Sequence, residues 1–247
     1  MENTGHQQTP NPGRQQRQIE LELVLLRHGH TKWNKERRYL GSSDLPLLPE
    51  ERENLAALRE QPELAGSFWR VYCSDLLRCR ETLHCIAPSL EAETVYDSRL
   101  REMCFGAWEG CTYEQLKNNP LYRSWIDDPS AVTPPSGEPW EAFTSRLEHF
   151  MSGLVLEAKA GESLPGYRCS AQGESKENNS PGAAVFSGKL LKLRVLIVTH
   201  GGVIRQWLAK AGSGLTFHTT AAPPPGTVAV LHLVLQAEGW ALSRTEM

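Results

Sequence analysis

The run Leu21 to Leu26, apolar except for Glu22, stops abruptly at Arg27-His28-Gly29-His30, with Thr31 and Asn34 close behind. A short Leu/Val-rich run bounded by glycine reads as a buried strand of an α/β sheet, and ligands of such sheets sit beyond the carboxyl ends of the strands. Arg27 and His28 fall at that edge. A permanently charged guanidinium beside an imidazole disfavours its protonated form, which makes His28 available as a nucleophile near neutral pH. Gly29 permits a tight turn and a close backbone approach to an anion. Taken alone, such a dipeptide is better explained by a packed core histidine beside a surface arginine. The segment Val195 to Thr199 repeats the pattern, however: an apolar run, then His200, then Gly201 and Gly202 leading toward a helix. Packing does not account for two strand-terminal His-Gly pairs in one chain.

Further apolar runs alternate with amphipathic segments. Glu20 to Leu26, Trp69 to Cys73, Val195 to Thr199 and Thr227 to Leu235 read as strands. Glu50 to Arg59, Leu76 to Ala87, Thr112 to Lys117, Pro139 to Leu156 and Val203 to Ala211 read as helices. This alternation predicts an α/β fold, a three-layer sandwich with a mostly parallel central sheet flanked by helices. At 247 residues and 40% hydrophobic content the chain can bury the core of one large domain. Residues 1–18, rich in Gln, Asn, Pro and Gly, predict a disordered tail that is neither a signal peptide nor a spanning helix, so a cytoplasmic protein is expected. The domain then covers 19–247, interrupted at about Ala158 to Lys189, where apolar periodicity gives way to Gly, Ser, Asn and Pro and a flexible insertion is expected.

A formal net charge of −3 provides no global basic field, so nucleic acid and anionic membranes are not expected partners and any anion binding must be local. Cys73, Cys79, Cys85, Cys104, Cys111 and Cys169 contain no CxxC pair and no finger-like His spacing, which predicts reduced thiols and no structural zinc. Two more segments carry chemistry. In Ser74 to Arg78, Ser74 is a candidate N-cap and Arg78 falls in the first turns of a helix, at an end that favours anions. In Leu100 to Gly110, Glu102 lies among bulky apolar residues that suit a proton donor; Glu109 is the alternative acid, ranked lower because Gly110 suggests a turn. Lys32, Lys35, Arg37 and Arg38 form a basic stretch that reads equally as a steering patch or a solvated face.

Together these elements resemble the histidine phosphatase superfamily, also called phosphoglycerate mutase-like. Arg27-His28-Gly29-x-Thr31, Ser74-x-x-x-Arg78-x-x-x-Thr82, Arg101-Glu102-x-x-Phe105-Gly106-x-Trp108-Glu109-Gly110 and Thr199-His200-Gly201-Gly202 follow the family's order, from about Leu23 to about Leu235. The resemblance implies that His28 is the phosphorylated nucleophile and Glu102 the proton donor. Arg27, Arg78 and His200 would surround the phosphoryl oxygens, with Asn34, Thr31 and Gly201 as further substrate contacts. No metal and no cofactor is then required, because paired guanidinium groups neutralise a transferring phosphoryl group. His30 stands where many members carry Glu, and Leu40 where mutases of the family usually carry Ser, which favours the phosphatase branch. Within it the chain is similar to α-ribazole phosphatases of cobalamin synthesis and to broad-specificity phosphatases. The expected activity is hydrolysis of a small phosphorylated metabolite, α-ribazole 5′-phosphate among the candidates. Phosphoglycerate mutase and a catalytically silent phosphate-binding protein are the alternatives. Trp33, Tyr39, Leu40, Phe105, Trp108 and Tyr113 suggest a rim suited to a flat ring.

Overall fold

The structure, a computed structural model, describes residues 18–161, 184–187, 190–212, 214–236 and 240–246. The chain opens with strand β1 (Gln18–Arg27), a short helix α1 (Lys32–Lys35) and helix α2 (Glu51–Ala57). Strand β2 (Arg70–Cys73), helix α3 (Leu77–Ile86) and the two-residue strand β3 (Val95–Tyr96) follow. Helices α4 (Tyr113–Leu116), α5 (Pro120–Asp127) and α6 (Trp140–Gly161) lead to strands β4 (Ala184–Ser187) and β5 (Leu190–Thr199). Helix α7 (Gly201–Ala211) and strands β6 (Val228–Leu235) and β7 (Trp240–Glu246) complete it.

The sheet runs β3-β2-β5-β1-β6-β7, with β4 paired to β5. The block β3-β2-β5-β1 is parallel, while β6, β7 and β4 join through antiparallel pairings. The expected three-layer α/β sandwich is present, and the sheet's mixed character comes from its edges. Strand side chains alternate between faces. Leu21, Leu23 and Leu25 of β1 therefore join Val195 and Ile197 of β5 in a core with Phe143, Leu147 and Phe150 of α6 and Ile204 of α7. Val24, Leu26, Leu196 and Val198 face the other way and pack on Leu55 of α2 and Cys79, Leu83 and Ile86 of α3. A strand buried on both faces must be apolar at every position, which is why the run before Arg27 barely alternates in hydropathy.

Several boundaries differ from the sequence reading, each for a local reason. Helix α6 continues past Leu156 to Gly161 because Ala158 is still buried beneath it, and Ala184–Ser187 pairs with Leu190–Leu193 as β4. The start of the expected insertion thus belongs to α6 and residues 184–187 to β4; residues 162–183, with Cys169, and 188–189 lie outside the described residues, as do residues 1–17 of the expected tail. Gln18 already belongs to β1, pairing with Leu190. Helix α5 was not expected, although Asn119 caps it through Leu121 N and Tyr122 N and proline occupies its first turn, a recognised start signal. Ser74 is not an N-cap: α3 begins after Leu76, whose side chain cannot cap, and the Ser74 hydroxyl is used elsewhere.

Candidate active site

Strand register brings the motif residues to one edge. Arg27 pairs with Thr199 across β1 and β5, and Cys73 with Val198 across β2 and β5, so all three strands end at one level. His28 N donates to Thr199 O at 3.0 Å and Ser74 N to Val198 O at 2.9 Å, carrying the register one residue further. His28 and His200 therefore meet with ring centroids 5.1 Å apart at 62°. The absence of a side chain at Gly201 admits the Arg27 guanidinium, since a Cβ there would stand 2.8 Å from Arg27 Cζ. Gly29 has the same kind of reason. A Cβ would meet Leu55 Cδ1 at 2.9 Å, so close packing against α2, and not an unusual backbone turn, explains this glycine.

His28 is 3% exposed and its Nδ1 lies 2.7 Å from Gly29 O. A carbonyl only accepts, so Nδ1 carries the proton and the Nε2 lone pair is left for chemistry. Burial, then the charges of Arg78 and Arg27, hold the His28 pKa well below 6.5, which keeps the ring neutral. His200, fully buried, is held well below 6.5 by burial, Arg78 and His28. Its Nδ1 accepts from Arg78 Nε at 3.2 Å, so its Nε2 donates to Ser74 Oγ at 2.8 Å. With both nitrogens engaged, His200 acts here as the support of Arg78. Arg78 is itself 0% exposed; Nη1 donates to Ser43 O at 2.8 Å and Nη2 to Gly41 O at 2.7 Å. Each terminal nitrogen keeps a second N–H. Arg27 Nη1 donates to Pro223 O at 2.6 Å, while its buried Nε has no partner. The buried Arg78 and the half-buried Arg27 beside the neutral His28 ring make a charged cluster suited to an anion, with His200 holding Arg78 from behind. Cys79 Sγ lies 3.4 Å from His200 Nε2, but burial pushes its pKa up to about 12, so it stays a thiol.

Glu102 reaches this group from the far side: Oε2 accepts from Gly202 N at 2.8 Å and Oε1 from Met103 N at 3.0 Å. The segment bearing it is gripped by Arg146 of α6, which donates to Arg99 O at 2.6 Å, Arg101 O at 2.7 Å and Glu102 O at 3.0 Å while paired with Glu138. Sequence reasoning missed Arg146 because it lies more than forty residues from what it holds, in a helix with no motif of its own. Glu109, the alternative acid, is a structural clamp. Burial raises its pKa, but hydrogen bonds from the Ser43 hydroxyl and the backbone N–H groups of Ser42, Ser43 and Phe105 outweigh this and hold it low.

Other expected site residues have local duties. Thr31 and Asn34 form the capping box of α1, with Thr31 N donating to Asn34 Oδ1 at 3.0 Å; Thr31 is fully buried. His30 Nδ1 stands 3.1 Å from Glu51 Oε2, within ion-pairing range but not aligned for a hydrogen bond. In the basic stretch, Lys35 pairs with Glu50 at 2.6 Å, and Lys32 and Arg38 share Glu36, so three of the four cations are engaged by two surface carboxylates. The expected aromatic rim is mostly core: Trp108 is 2% and Leu40 8% exposed, and Tyr39, Phe105, Trp108, Tyr122 and Trp125 pack largely edge to face. Such packing is the preferred aromatic arrangement and leaves no free face of Trp108 for a ligand.

Residues 23–164 match the histidine phosphatase superfamily, branch 1. The chain belongs to this family. Among relatives of this histidine phosphatase superfamily member is a bifunctional protein of Mycobacterium tuberculosis, 35% identical over 136 residues, spanning 54% of this chain and 37% of that protein. Adenosylcobalamin/alpha-ribazole phosphatase of Salmonella typhimurium is 32% identical over 140 residues, 54% of this chain and 67% of that enzyme. The chain thus spans little more than a third of the first relative's length. The structure of the alpha-ribazole phosphatase from Shigella flexneri superposes with a TM-score of 0.65 at 22% identity, covering 90% of this chain and 94% of that one, and so shares the fold. Among the described residues of this superfamily member, no helix is long and apolar enough to cross a membrane, and no group of three or more His, Cys, Asp or Glu is placed to hold a metal ion.

Proposed function

We propose that the protein is a metal-independent phosphomonoesterase that works through phospho-His28. The observation that carries this is the state of His28: neutral, its Nδ1–H tied to Gly29 O, between the charges of Arg27 and Arg78. The Nε2 lone pair attacks phosphorus, the ester P–O bond breaks, and the departing oxygen takes the proton of Glu102. Water then attacks phospho-His28, gives its proton to the Glu102 carboxylate, and the P–N bond electrons return to Nε2. Phosphoryl transfer needs positioning and charge neutralisation more than covalent help, and Arg27 with the spare N–H groups of Arg78 supplies both. Gly201 leaves room for Arg27 beside the phosphoryl group, and Asn34 and Thr31 shape the turn that follows the nucleophile.

The substrate in this reading is a small phosphorylated metabolite, and α-ribazole 5′-phosphate, the substrate class in the names of two relatives, is the first to test. Purified protein is assayed against α-ribazole 5′-phosphate, sugar phosphates, p-nitrophenyl phosphate and 3-phosphoglycerate, alongside His28→Ala. Release of phosphate, an acid-labile phosphoenzyme in the wild type, and loss of both in His28→Ala are the expected results. Turnover that survives in His28→Ala, or movement of phosphate between glycerate hydroxyls without release, overturns the reading.

A further inference from the structure

Gly201 and Gly202 leave the first turn of α7 bare, and Arg205, three and four residues on, is the next side chain along that face. Long side chains on a helix lean back toward its N-terminus, here toward Gly202 and the Glu102 carboxylate bound to it. Glu102 is the charge that acts on Arg205: burial lowers the Arg205 pKa and Glu102 raises it. The guanidinium is fixed from outside by one loop. Its Cζ sits 4.1 Å from the Phe217 ring centroid and Nη2 donates to His218 O at 3.2 Å, while Trp140 backs Phe217 at 4.7 Å. The same loop returns to the nucleophile, with Pro223 O accepting from Arg27 at 2.6 Å and Gly226 N donating to Arg27 O and His28 O at 3.1 Å. Arg205 Nε is buried and has no partner. The enclosed Nε is out of a ligand's reach, whereas Nη1, which is not enclosed and which no described protein group engages, presents its N–H groups to an acceptor from outside the protein.

We propose that Arg205 reads the alcohol half of the substrate, donating from Nη1 to an oxygen on the leaving group. In an in-line transfer the leaving oxygen lies opposite the attacking Nε2 of His28. Glu102, which protonates that oxygen, marks the leaving side, and Arg205 flanks Glu102 there. The ligand class this fits is a phosphomonoester whose alcohol half carries a further oxygen acceptor a few bonds from the ester, as in sugar phosphates. The inference rests on the proposed phosphatase reading and names its substrate class.

The test compares ribose 5-phosphate, which has such oxygens, with n-pentyl phosphate, an alkyl ester that needs Glu102 as much but has none, for wild type, Arg205→Leu, Arg205→Lys and Phe217→Leu. Arg205→Leu is expected to lower kcat/KM for ribose 5-phosphate by about 10- to 150-fold, the range of a hydrogen bond from a charged donor, mostly in KM, and to lower it for n-pentyl phosphate less than about 5-fold. Phe217→Leu, which loosens the clamp, shows the same split at smaller size, and Arg205→Lys recovers less than half of the loss because a point charge cannot reproduce the directed N–H groups of a guanidinium. If Arg205→Leu is insoluble, these two variants carry the comparison. Equal losses on both substrates, or none on ribose 5-phosphate, overturn the subsite. His28→Ala, run in parallel, separates the cases: retained turnover there means that the phosphatase reading has failed, whereas a required His28 with no Arg205 split means that only the subsite has.

Discussion

At the scale of single residues, the site depends on imidazoles kept neutral by burial and by neighbouring guanidinium charge. A nucleophile of ordinary pKa loses its lone pair to protonation as pH falls through 6.5. His28 is held well below that value in the free protein, so its acid limb in kcat/KM is expected below pH 6.5. A limb centred at or above 6.5 would show that Arg27 and Arg78 do not act on His28. Stability follows the same shift with a definite sign. Between the depressed folded pKa and the unfolded value near 6.5 the unfolded chain binds more protons, so stability rises with pH through that window and falls as pH drops below 6.5. The urea midpoint is expected to fall on acidification, and to fall less in His28→Asn. Glu102 is tested by its leaving group: Glu102→Gln should slow alkyl phosphates by roughly 10²- to 10⁴-fold and esters of acidic phenols far less. Equal losses would make the carboxylate a structural partner of Gly202.

At the scale of elements, the acid and the nucleophile stand on segments that share no secondary structure, and their meeting depends on cross-links between elements. Thr199 Oγ1 donates to Leu100 O at 2.8 Å, Arg101 pairs with Asp75 at 2.5 Å, and Arg146 collects three carbonyls of the same segment. Arg146→Met removes the largest of these cross-links and leaves the partly buried Glu138 unpaired. The expected cost is about 3 kcal/mol of stability, measured by urea unfolding. With it should come a kcat loss of at least about 10-fold, while inhibition by inorganic phosphate changes little, because Arg27 and Arg78 are untouched. A variant as unstable as expected but with wild-type kcat would show that Glu102 is positioned without α6.

At the scale of the whole molecule, a chain of net charge −3 concentrates positive charge where three parallel strands end. Three surface cations of the Lys32 to Arg38 stretch share the two carboxylates Glu36 and Glu50 in solvent-exposed pairs, where water and salt screen them. The buried Arg78 and the half-buried Arg27 are different, since less solvent screens them. They supply the fixed charge that a divalent ion would otherwise bring to a transferring phosphate. Turnover is therefore expected to be unchanged in excess chelator; a loss restored by adding a divalent ion would assign that charge to a metal instead.

The residues of chemistry were legible in the sequence because phosphate handling demands particular side chains at strand ends. Runs such as Leu21 to Leu26 and Val195 to Thr199 announce those ends through their burial on both faces. The α/β class followed from the same runs, and so did α2, α3, α4, α6 and α7 to within about a turn, whereas α1 and α5 did not. What tertiary structure alone decided was set by contacts between segments distant in sequence. The strands β4 and β7, and the antiparallel direction in which β6 joins β1, depend on pairing partners and not on local pattern. The engagement of both nitrogens of His200, the conversion of Glu109 from candidate acid to clamp, and the holding of Glu102 by Arg146 each rest on hydrogen bonds across tens of residues. Trp108 shows the limit most plainly. A tryptophan in a motif reads equally as rim or core, and the neighbours Tyr122 and Trp125 on a later helix settle it as core. Hydropathy and spacing report how much of a side chain must leave water; only the folded chain determines which partner it meets there.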